Sequence, residues 1–297
     1  MSSILRSLLN RSTPAQQAVA PTPSLRRGLL TELITSRDRL PDDKGVRGNP
    51  NYVHLSTLLR DFCPRRRILQ ERGEAIGDWN PRSADRVLWE IGRAAERHVR
   101  NQLIAALNYA GVLGQWSCRC GELRYEGFRS QAVCRRCKDT ANVYGELELY
   151  EHNLGIVGRP DMVLELDGKL VVLECKSIAL KGFNDLQQAN ADHVIQALSY
   201  RGLLASSVSN PAQVHDEVVL LYVAKDYSFQ GGVYKEYHVR FDAAQYDAGL
   251  SIIGSSALGV KAMRESGQLP PRQAVCTSPD DRMPKNCAAC AACFMHD

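Results

Sequence analysis

Residues 158–176 read GRPDMVLELDGKLVVLECK, and no other stretch says as much about the architecture of the chain. Two apolar runs meet at Asp167-Gly168, a dipeptide that strongly favours the tight turn of a β-hairpin. If these two residues form the turn, pairing about it sets Asp161 opposite Glu174. Side chains alternate along a strand, so Lys176 projects from the same face as Glu174. The hairpin therefore predicts that an Asp, a Glu and a Lys lie together.

The opposed carboxylates of Asp161 and Glu174 indicate a divalent metal site. Cβ atoms of directly opposed residues lie about 4.5–5.5 Å apart, so two carboxylates repel unless a cation lies between them. Oxygen ligands of this kind suit Mg²⁺ or Mn²⁺. The alternative is a solvated charged face, but the neighbouring strand residues are apolar on both faces, which is typical of a buried sheet. Burying these charges there is costly unless they have a function.

Composition and charge narrow the class of protein. The chain has 297 residues, of which 44% are hydrophobic and 24% charged, enough for one domain with insertions or for two small domains. A net charge of +4 permits nucleic-acid binding through local patches. The sequence contains no apolar run of about 18 residues, so it does not predict a membrane span. Without a secretory signal, the 10 cysteines are expected to be thiolates in the cytoplasm, or in the host cytoplasm if the protein is viral.

Residues 1–50 are predicted to be a basic, disordered arm, because they are rich in Ser, Thr, Pro, Ala and Arg and contain no acidic residue before Glu32. An organellar transit peptide is the alternative. Residues 51–297 are predicted to form the functional domain. A helical apolar pattern starts at Val53 and ends near Phe62, and the arginines of the following CPRRR segment (63–67) are expected to be solvated.

Hydrophobic periodicity predicts the elements around the hairpin. Helices are predicted over 84–110, 191–205 and 243–266, and strands over 217–225 and 232–241. The expected fold class is α/β, with a mixed central sheet flanked by helices.

Two pairs of cysteines, Cys118-X-Cys120 and Cys134-X-X-Cys137, lie between the first of these helices and the hairpin. Four thiolates in two close pairs match a tetrahedral structural zinc site. The surrounding segment is too polar to build a core of its own, which argues against the alternative of four unliganded thiols. Residues 114–146 are therefore predicted to be a zinc-ribbon insertion, whose arginines are candidates for phosphate contacts.

Pro160-Asp161 and Glu174-Cys175-Lys176 together resemble the signature of the PD-(D/E)XK nuclease superfamily. The resemblance implies a restriction-endonuclease-like core, in which Asp161 and Glu174 bind Mg²⁺ or Mn²⁺. It also implies that Lys176 positions or activates the water that attacks a phosphodiester.

Two further motifs resemble the RecB-like members of this superfamily and stand in the same order along the chain. Gly92 is followed four residues later by Glu96, which the resemblance implies is a third metal ligand; His98 is the alternative. Gln196-X-X-X-Tyr200 resembles an element of these nucleases that contacts DNA and orients the catalytic lysine.

Five remaining cysteines resemble those of the iron-sulfur subset of RecB-like nucleases, which includes CRISPR-associated and phage exonucleases. That resemblance implies a 4Fe-4S cluster, held by one cysteine before the nuclease core and three after it, which closes residues 270–297 onto the domain as a clasp. A cluster needs four thiolates and five are present. The favoured set is Cys63, Cys276, Cys287 and Cys293, with Cys290 as the substitute. Zinc in the same site is the alternative, and position 296 is His where many relatives have their last cysteine.

The resemblance as a whole implies a metal-dependent DNA exonuclease that acts on single-stranded ends during recombination, repair or replication, with a helicase or recombination protein as its partner. One alternative is a structure-specific or CRISPR-type endonuclease. Another is a non-catalytic DNA-binding subunit that uses the cysteine ribbon and its arginines. The intact Asp161, Glu174 and Lys176 favour catalysis. The sequence does not indicate an oligomeric state.

Overall fold

The computed structural model describes residues 24, 26–30, 52–59, 62–74, 83–225, 233–274, 276–280, 287 and 289–296. The helices with described bounds are α1 (Pro64–Glu71), α2 (Ser83–Ala106), α3 (Leu180–Asp185), α4 (Ala191–Ser207), α5 (Ala243–Ser266) and α6 (Cys290–Met295). None of the helices in these ranges is both long enough and apolar enough to cross a membrane.

The strands form two sheets. They are β1 (Val53–His54), β2 (Val112–Ser117), β3 (Arg124–Phe128), β4 (Val143–Gly145), β5 (Leu149–Glu151), β6 (Ile156–Gly158), β7 (Met162–Leu166), β8 (Lys169–Ile178), β9 (Glu217–Ala224) and β10 (Tyr234–Arg240). The central sheet has the order β10-β9-β8-β7-β2-β3, with β4 also paired to β2. Only β8 and β9 run parallel in it, so the sheet is mixed as expected. A smaller sheet has the order β1-β6-β5.

The hairpin of β7 and β8 has the predicted register. Met162 pairs with Leu173, and Leu166 pairs with Lys169 at the turn. Asp167 and Gly168 have φ values of 51° and 71°, the left-handed values that a type I′ turn requires at both central residues. Asp161 directly precedes β7 and therefore lies beside Glu174 of the partner strand.

The central sheet separates two apolar cores. On one face, α2 packs through residues such as Val99 and Leu103 against Leu173 and Cys175 of β8. On the other face, α4 packs onto the sheet and α5 packs onto α4. Because side chains alternate along a strand, Glu174 and Lys176 face the α4 side, while Ser177 faces α2.

The N-terminal part of the domain differs from its prediction. The helix expected from Val53 to Phe62 is absent: Val53–His54 form β1, which pairs in parallel with β6, and a 3₁₀ turn covers Leu55–Thr57. The same apolar residues are buried by strand pairing and packing instead of by one helical face, which a short periodic pattern cannot distinguish. Helix α2 ends at Ala106 and not at 110, because the chain turns before β2 with positive φ at Asn108 and Tyr109.

Residues 114–146 were predicted to be an insertion, but their strands belong to the central sheet. Strands β3 and β4 both pair with β2, which itself pairs with β7. Trp116 of β2 and Tyr144 of β4 are buried and meet edge to face, with ring centroids 5.2 Å apart. The polar cysteine segment thus shares the core of the domain.

Residues 24 and 26–30 of the N-terminal arm are described, and this part of the arm is docked on the domain. Leu29 and Leu30 are buried in the α2 core, with Leu30 fully inaccessible. The Gly28 amide donates to Glu236 Oε1 (3.1 Å), and Ser24 Oγ donates to Asp167 Oδ1 (2.8 Å). The sequence signal for this docking is the pair of apolar residues, Leu29 and Leu30, within a basic segment. The other positions of 1–50 lie outside the described residues.

The buried Leu30 gives a test of this docking. Leu30→Ala should lower the free energy of unfolding by about 2–5 kcal/mol, because it opens a cavity in a closed core. Urea denaturation measures the change. Leu258→Ala is the control, because Leu258 of α5 is 46% exposed and its truncation should have little effect. Equal stability of the two variants would contradict the docking of the arm.

Candidate functional site

Asp161 and Glu174 meet where β7 begins and β8 approaches its end. Asp161 Oδ2 accepts a hydrogen bond from the Cys175 amide (2.7 Å), which holds the carboxylate against the backbone of β8. The Asp161 amide in turn donates to Glu174 Oε2 over 3.4 Å. Glu174 is 3% exposed, whereas Asp161 is half-buried. The two carboxylates are therefore neighbours with different access to solvent.

Two side chains donate hydrogen bonds to Glu174, and a third contacts one of them. Glu174 Oε1 accepts a hydrogen bond from Lys176 Nζ (2.6 Å) and another from Gln196 Nε2 (2.8 Å). Gln196 lies 3.0 Å from the Tyr200 hydroxyl, one turn along α4. The resemblance implied that this pair orients the lysine; the direct contact is with Glu174, which itself binds Lys176. Helix α4 thus fixes the carboxylate, and the carboxylate fixes the ammonium.

Glu96 reaches the same region from α2, on the opposite face of the sheet. Its Oε1 accepts hydrogen bonds from the amide (3.2 Å) and the hydroxyl (2.9 Å) of Ser177. His98, the alternative ligand, is exposed. Residues two apart on a helix point in different directions, so only one of the two can face the sheet. The structure places Glu96 against Ser177 of β8 and leaves His98 exposed.

Burial and like charge perturb these groups. Burial, followed by the charge of Asp161, raises the pKa of Glu174 to about 8. The same two causes raise the pKa of Glu96. Burial acts to lower the pKa of Lys176, but the charges of Glu174 and Asp161 outweigh it, so the pKa of the ammonium rises above its ordinary value. In the metal-free protein these shifts favour the protonated, neutral forms of Glu174 and Glu96.

The fit of this site to a divalent cation follows from its donors. Asp161 Oδ1 and Glu96 Oε2 accept no hydrogen bond from any residue that the structure describes. Hard carboxylate oxygens in excess of nearby cations are the environment that Mg²⁺ or Mn²⁺ prefers. Among the described residues, the three carboxylates do not bring their oxygen atoms within 4.8 Å of one another, as the cysteines described next do with their sulfur atoms.

The ribbon cysteines form a compact group. The sulfur atoms of Cys118, Cys120, Cys134 and Cys137 all lie within 4.8 Å of one another. Individual sulfur separations are 2.9 Å for Cys118–Cys120, 3.4 Å for Cys118–Cys134 and 3.8 Å for Cys120–Cys137. The hydrogen bond from Cys120 is the largest of several effects that lower the pKa of Cys118 to about 6. These four cysteines could bind one metal ion, as their spacing predicted.

Strand β4, which follows the cysteine segment, contacts the backbone of Asp161. The Tyr144 hydroxyl of β4 donates to the backbone carbonyl of Asp161 (3.2 Å). Arg100 of α2 lies over the Tyr144 ring and donates to Glu146 (2.8 Å). No motif in the sequence singled out Tyr144 or Ser177, because each contact depends on how strands and helices pack together.

The C-terminal tail packs onto α1. Arg65, expected to be solvated, is 4% exposed and donates to the carbonyls of Pro270 (2.7 Å) and Cys293 (2.8 Å). Gln273 Nε2 donates to the Phe62 carbonyl (2.9 Å). Leu69, Ala289 and Ala292 form a small core between α1 and α6. Arg65 is buried because it satisfies tail carbonyls that have no helical or strand partner.

The clasp cysteines are neighbours, but they are less compact than the ribbon cysteines. Burial raises the pKa of Cys293, and the nearby Cys63 and Cys287 thiols act in the same direction. Cys290 instead points its sulfur at the carbonyl of Pro279 (3.7 Å). The Cys276 amide donates a hydrogen bond to the Gln273 carbonyl (2.8 Å). Burial and then the Cys287 thiol raise the pKa of Cys290 as well, so the choice between the favoured set and the Cys290 substitute stays a prediction.

Comparisons with protein-family models and with curated proteins give no match to this chain. The function is therefore inferred from the chemistry of the carboxylate and cysteine groups themselves.

The raised pKa of Glu174 predicts how the metal-free protein responds to pH. The free energy of unfolding should fall as pH rises from about 4.5 to about 8, because the folded state keeps a proton that the unfolded state has released. Asp161→Asn removes the second cause of the shift, so the fall should be smaller. Urea unfolding in EDTA, carried out near each end of that pH range, measures this fall in the free energy of unfolding.

Asp167→Asn is the matched control, since Asp167 is exposed at the hairpin turn. It should keep the pH dependence of the wild-type protein. If Asp161→Asn also keeps it unchanged, the electrostatic coupling of the two carboxylates is refuted.

Proposed function

We propose that this chain is a metal-dependent deoxyribonuclease of the PD-(D/E)XK type that hydrolyses phosphodiester bonds at the ends of single-stranded DNA. The observation that carries the proposal is the placement of Asp161 and Glu174 beside Lys176 at one end of β7 and β8, with Glu96 bonded to Ser177 of β8. Residues distant in sequence contribute these groups from both faces of the sheet. A non-catalytic DNA-binding subunit would have no use for buried, mutually repelling carboxylates.

Asp161, Glu174 and Glu96 would hold Mg²⁺ or Mn²⁺. When bound, such an ion supplies Lewis-acid polarisation of the phosphate and lowers the pKa of a bound water. The protein's own contribution is to keep the carboxylates in place: Gln196 holds Glu174, and Ser177 holds Glu96.

Lys176 acts as a cation in this proposal. Its pKa lies above the ordinary lysine value, so its ammonium stays protonated near neutral pH. A protonated ammonium donates hydrogen bonds and stabilises negative charge, but it cannot accept a proton. Lys176 therefore orients the attacking water and stabilises the charge that develops on the phosphate, in accordance with electrostatic catalysis at preorganised sites.

The two cysteine groups have structural roles. A zinc ion in the ribbon is supported by four sulfur atoms within 4.8 Å of one another. A tetrahedral site with Zn–S bonds of about 2.3 Å places sulfur atoms about 3.8 Å apart, the separation found for Cys120 and Cys137. In the clasp, Cys63, Cys276, Cys287 and Cys293 would hold a 4Fe-4S cluster, with Cys290 as the substitute. Both sites join segments that have little apolar core of their own.

Cleavage assays test the proposal. Protein with Mn²⁺ should degrade single-stranded DNA labelled at either end faster than duplex DNA. Asp161→Asn, Glu174→Gln and Lys176→Met should each slow cleavage by at least about 100-fold, because each removes a group from the reacting site. Glu165→Gln is the control: Glu165 lies in the same hairpin, paired with Leu170 near the turn, and should keep full activity. Full Mn²⁺-dependent activity in the Asp161 and Glu174 variants would end the nuclease assignment.

Elemental analysis tests the two metal sites separately. Protein purified without oxygen should contain about one zinc per chain and should absorb broadly near about 400 nm from thiolate-bound iron. Cys134→Ser should lose the zinc and keep the colour. Cys63→Ala should lose the colour and keep the zinc, whereas Cys175→Ala, buried in the α2 core, should lose neither. Colourless protein with a second zinc would refute the cluster without affecting the nuclease.

A further inference from the structure

Lys225 is anchored on the central sheet beside the candidate active site. Its amide donates to the Ile178 carbonyl (2.8 Å), which extends the pairing of β9 with β8 one step beyond the Ile178–Ala224 pair. Lys176 and Ser177 immediately precede Ile178 in β8. The backbone of Lys225 is therefore fixed by the sheet at the strand end where the carboxylates lie.

The side chain of Lys225 projects toward α2. Val219, Leu221 and Val223 of β9 all pack into the α2 core, and alternation places Lys225 on the same face. At Gly92 of α2, a Cβ atom would lie 2.7 Å from Ser177 Oγ and 3.2 Å from Lys225 Nζ. The glycine leaves room for both side chains between helix and sheet. This is a physical reason for glycine one turn before Glu96.

This geometry places the Lys225 ammonium near Glu96. Ser177 Oγ and Lys225 Nζ both lie close to the position that a Cβ atom would take on Gly92. The two atoms are therefore at most about 6 Å apart. Ser177 Oγ is itself 2.9 Å from Glu96 Oε1. Lys176 occupies the other face of the sheet, beside Glu174. The two ammonium groups therefore lie on either side of the carboxylates.

Lys225 differs from Lys176 because its ammonium has no bonding partner among the described residues. Its ammonium makes no hydrogen bond and no ion pair with any residue in the described part of the chain. Lys176 is the cation with the largest effect on the pKa of Glu96. A half-buried ammonium without a counter-charge is suited to an anion that arrives from outside, and phosphate oxygens are strong acceptors for it.

We propose that Lys225 binds a backbone phosphate of the DNA strand on the Glu96 side of the site, next to the phosphate that is cleaved. This inference rests on the proposed nuclease function. Lys225 contributes to binding and placement of the strand, whereas Lys176 takes part in the reaction. The strand then crosses the end of the sheet with a cation on each side of the metal-binding carboxylates.

Binding and cleavage by Lys225→Met distinguish this role from a structural one. Affinity for labelled oligothymidylate, measured by fluorescence anisotropy in EDTA at several salt concentrations, should fall about fivefold to tenfold at low salt. The slope of log K against log salt should decrease in magnitude by about 0.7, the value for one lost phosphate contact on single-stranded DNA. In cleavage with Mn²⁺, KM should rise by a similar factor, while kcat at saturating DNA stays within about twofold.

Two variants serve as controls. Lys225→Arg keeps the positive charge and should restore the salt slope. Lys169→Met removes an exposed lysine at the opposite end of β8 and should behave as the wild type. Wild-type affinity and salt slope in Lys225→Met would overturn the proposal, as would a loss of kcat with unchanged KM. Wild-type protein that binds DNA with the Lys225 dependence but does not cleave it would refute the nuclease function alone.

Discussion

The repulsion between Asp161 and Glu174 is the constraint on which the rest of the site depends. Two carboxylates brought together at the end of a buried hairpin are unfavourable unless neighbouring groups compensate them. The surrounding structure supplies part of that compensation: Lys176 and Gln196 donate to Glu174, and the Cys175 amide donates to Asp161. What remains is a site whose charge balance favours an added cation.

The two faces of the sheet contribute differently to this site. Helix α4 supplies neutral donors that hold Glu174 within an apolar core, whereas α2 supplies a further carboxylate, Glu96, and the glycine that lets Lys225 approach it. A strand of nucleic acid that crossed the sheet end would meet both faces at once. One cysteine group lies in the segments next to β2, β3 and β4, of which β4 contacts the Asp161 backbone through Tyr144. The other lies where the tail meets α1.

Local rules succeeded where a short stretch of chain determines its own conformation. The Asp167-Gly168 turn gave the register of β7 and β8, and with it the placement of Asp161 beside Glu174. Gly267 ends α5 in the left-handed conformation, and that helix has the predicted bounds. The prediction from Val53 to Phe62 was wrong because apolar residues in a short segment can be buried by a helix face or by strand pairing, and periodicity does not separate the two.

By itself, the sequence determined the hairpin, its register, the compact spacing of the four ribbon cysteines and the identity of the residues with unusual chemistry. These depend on turn geometry and on neighbours close in the chain. Only the tertiary structure decided that Glu96 and not His98 bonds to Ser177 of β8, that Arg65 is buried against the tail, and that Lys225 lies beside Ser177. Such contacts join residues far apart in sequence, and packing between helix, sheet and tail sets them, which no local pattern records.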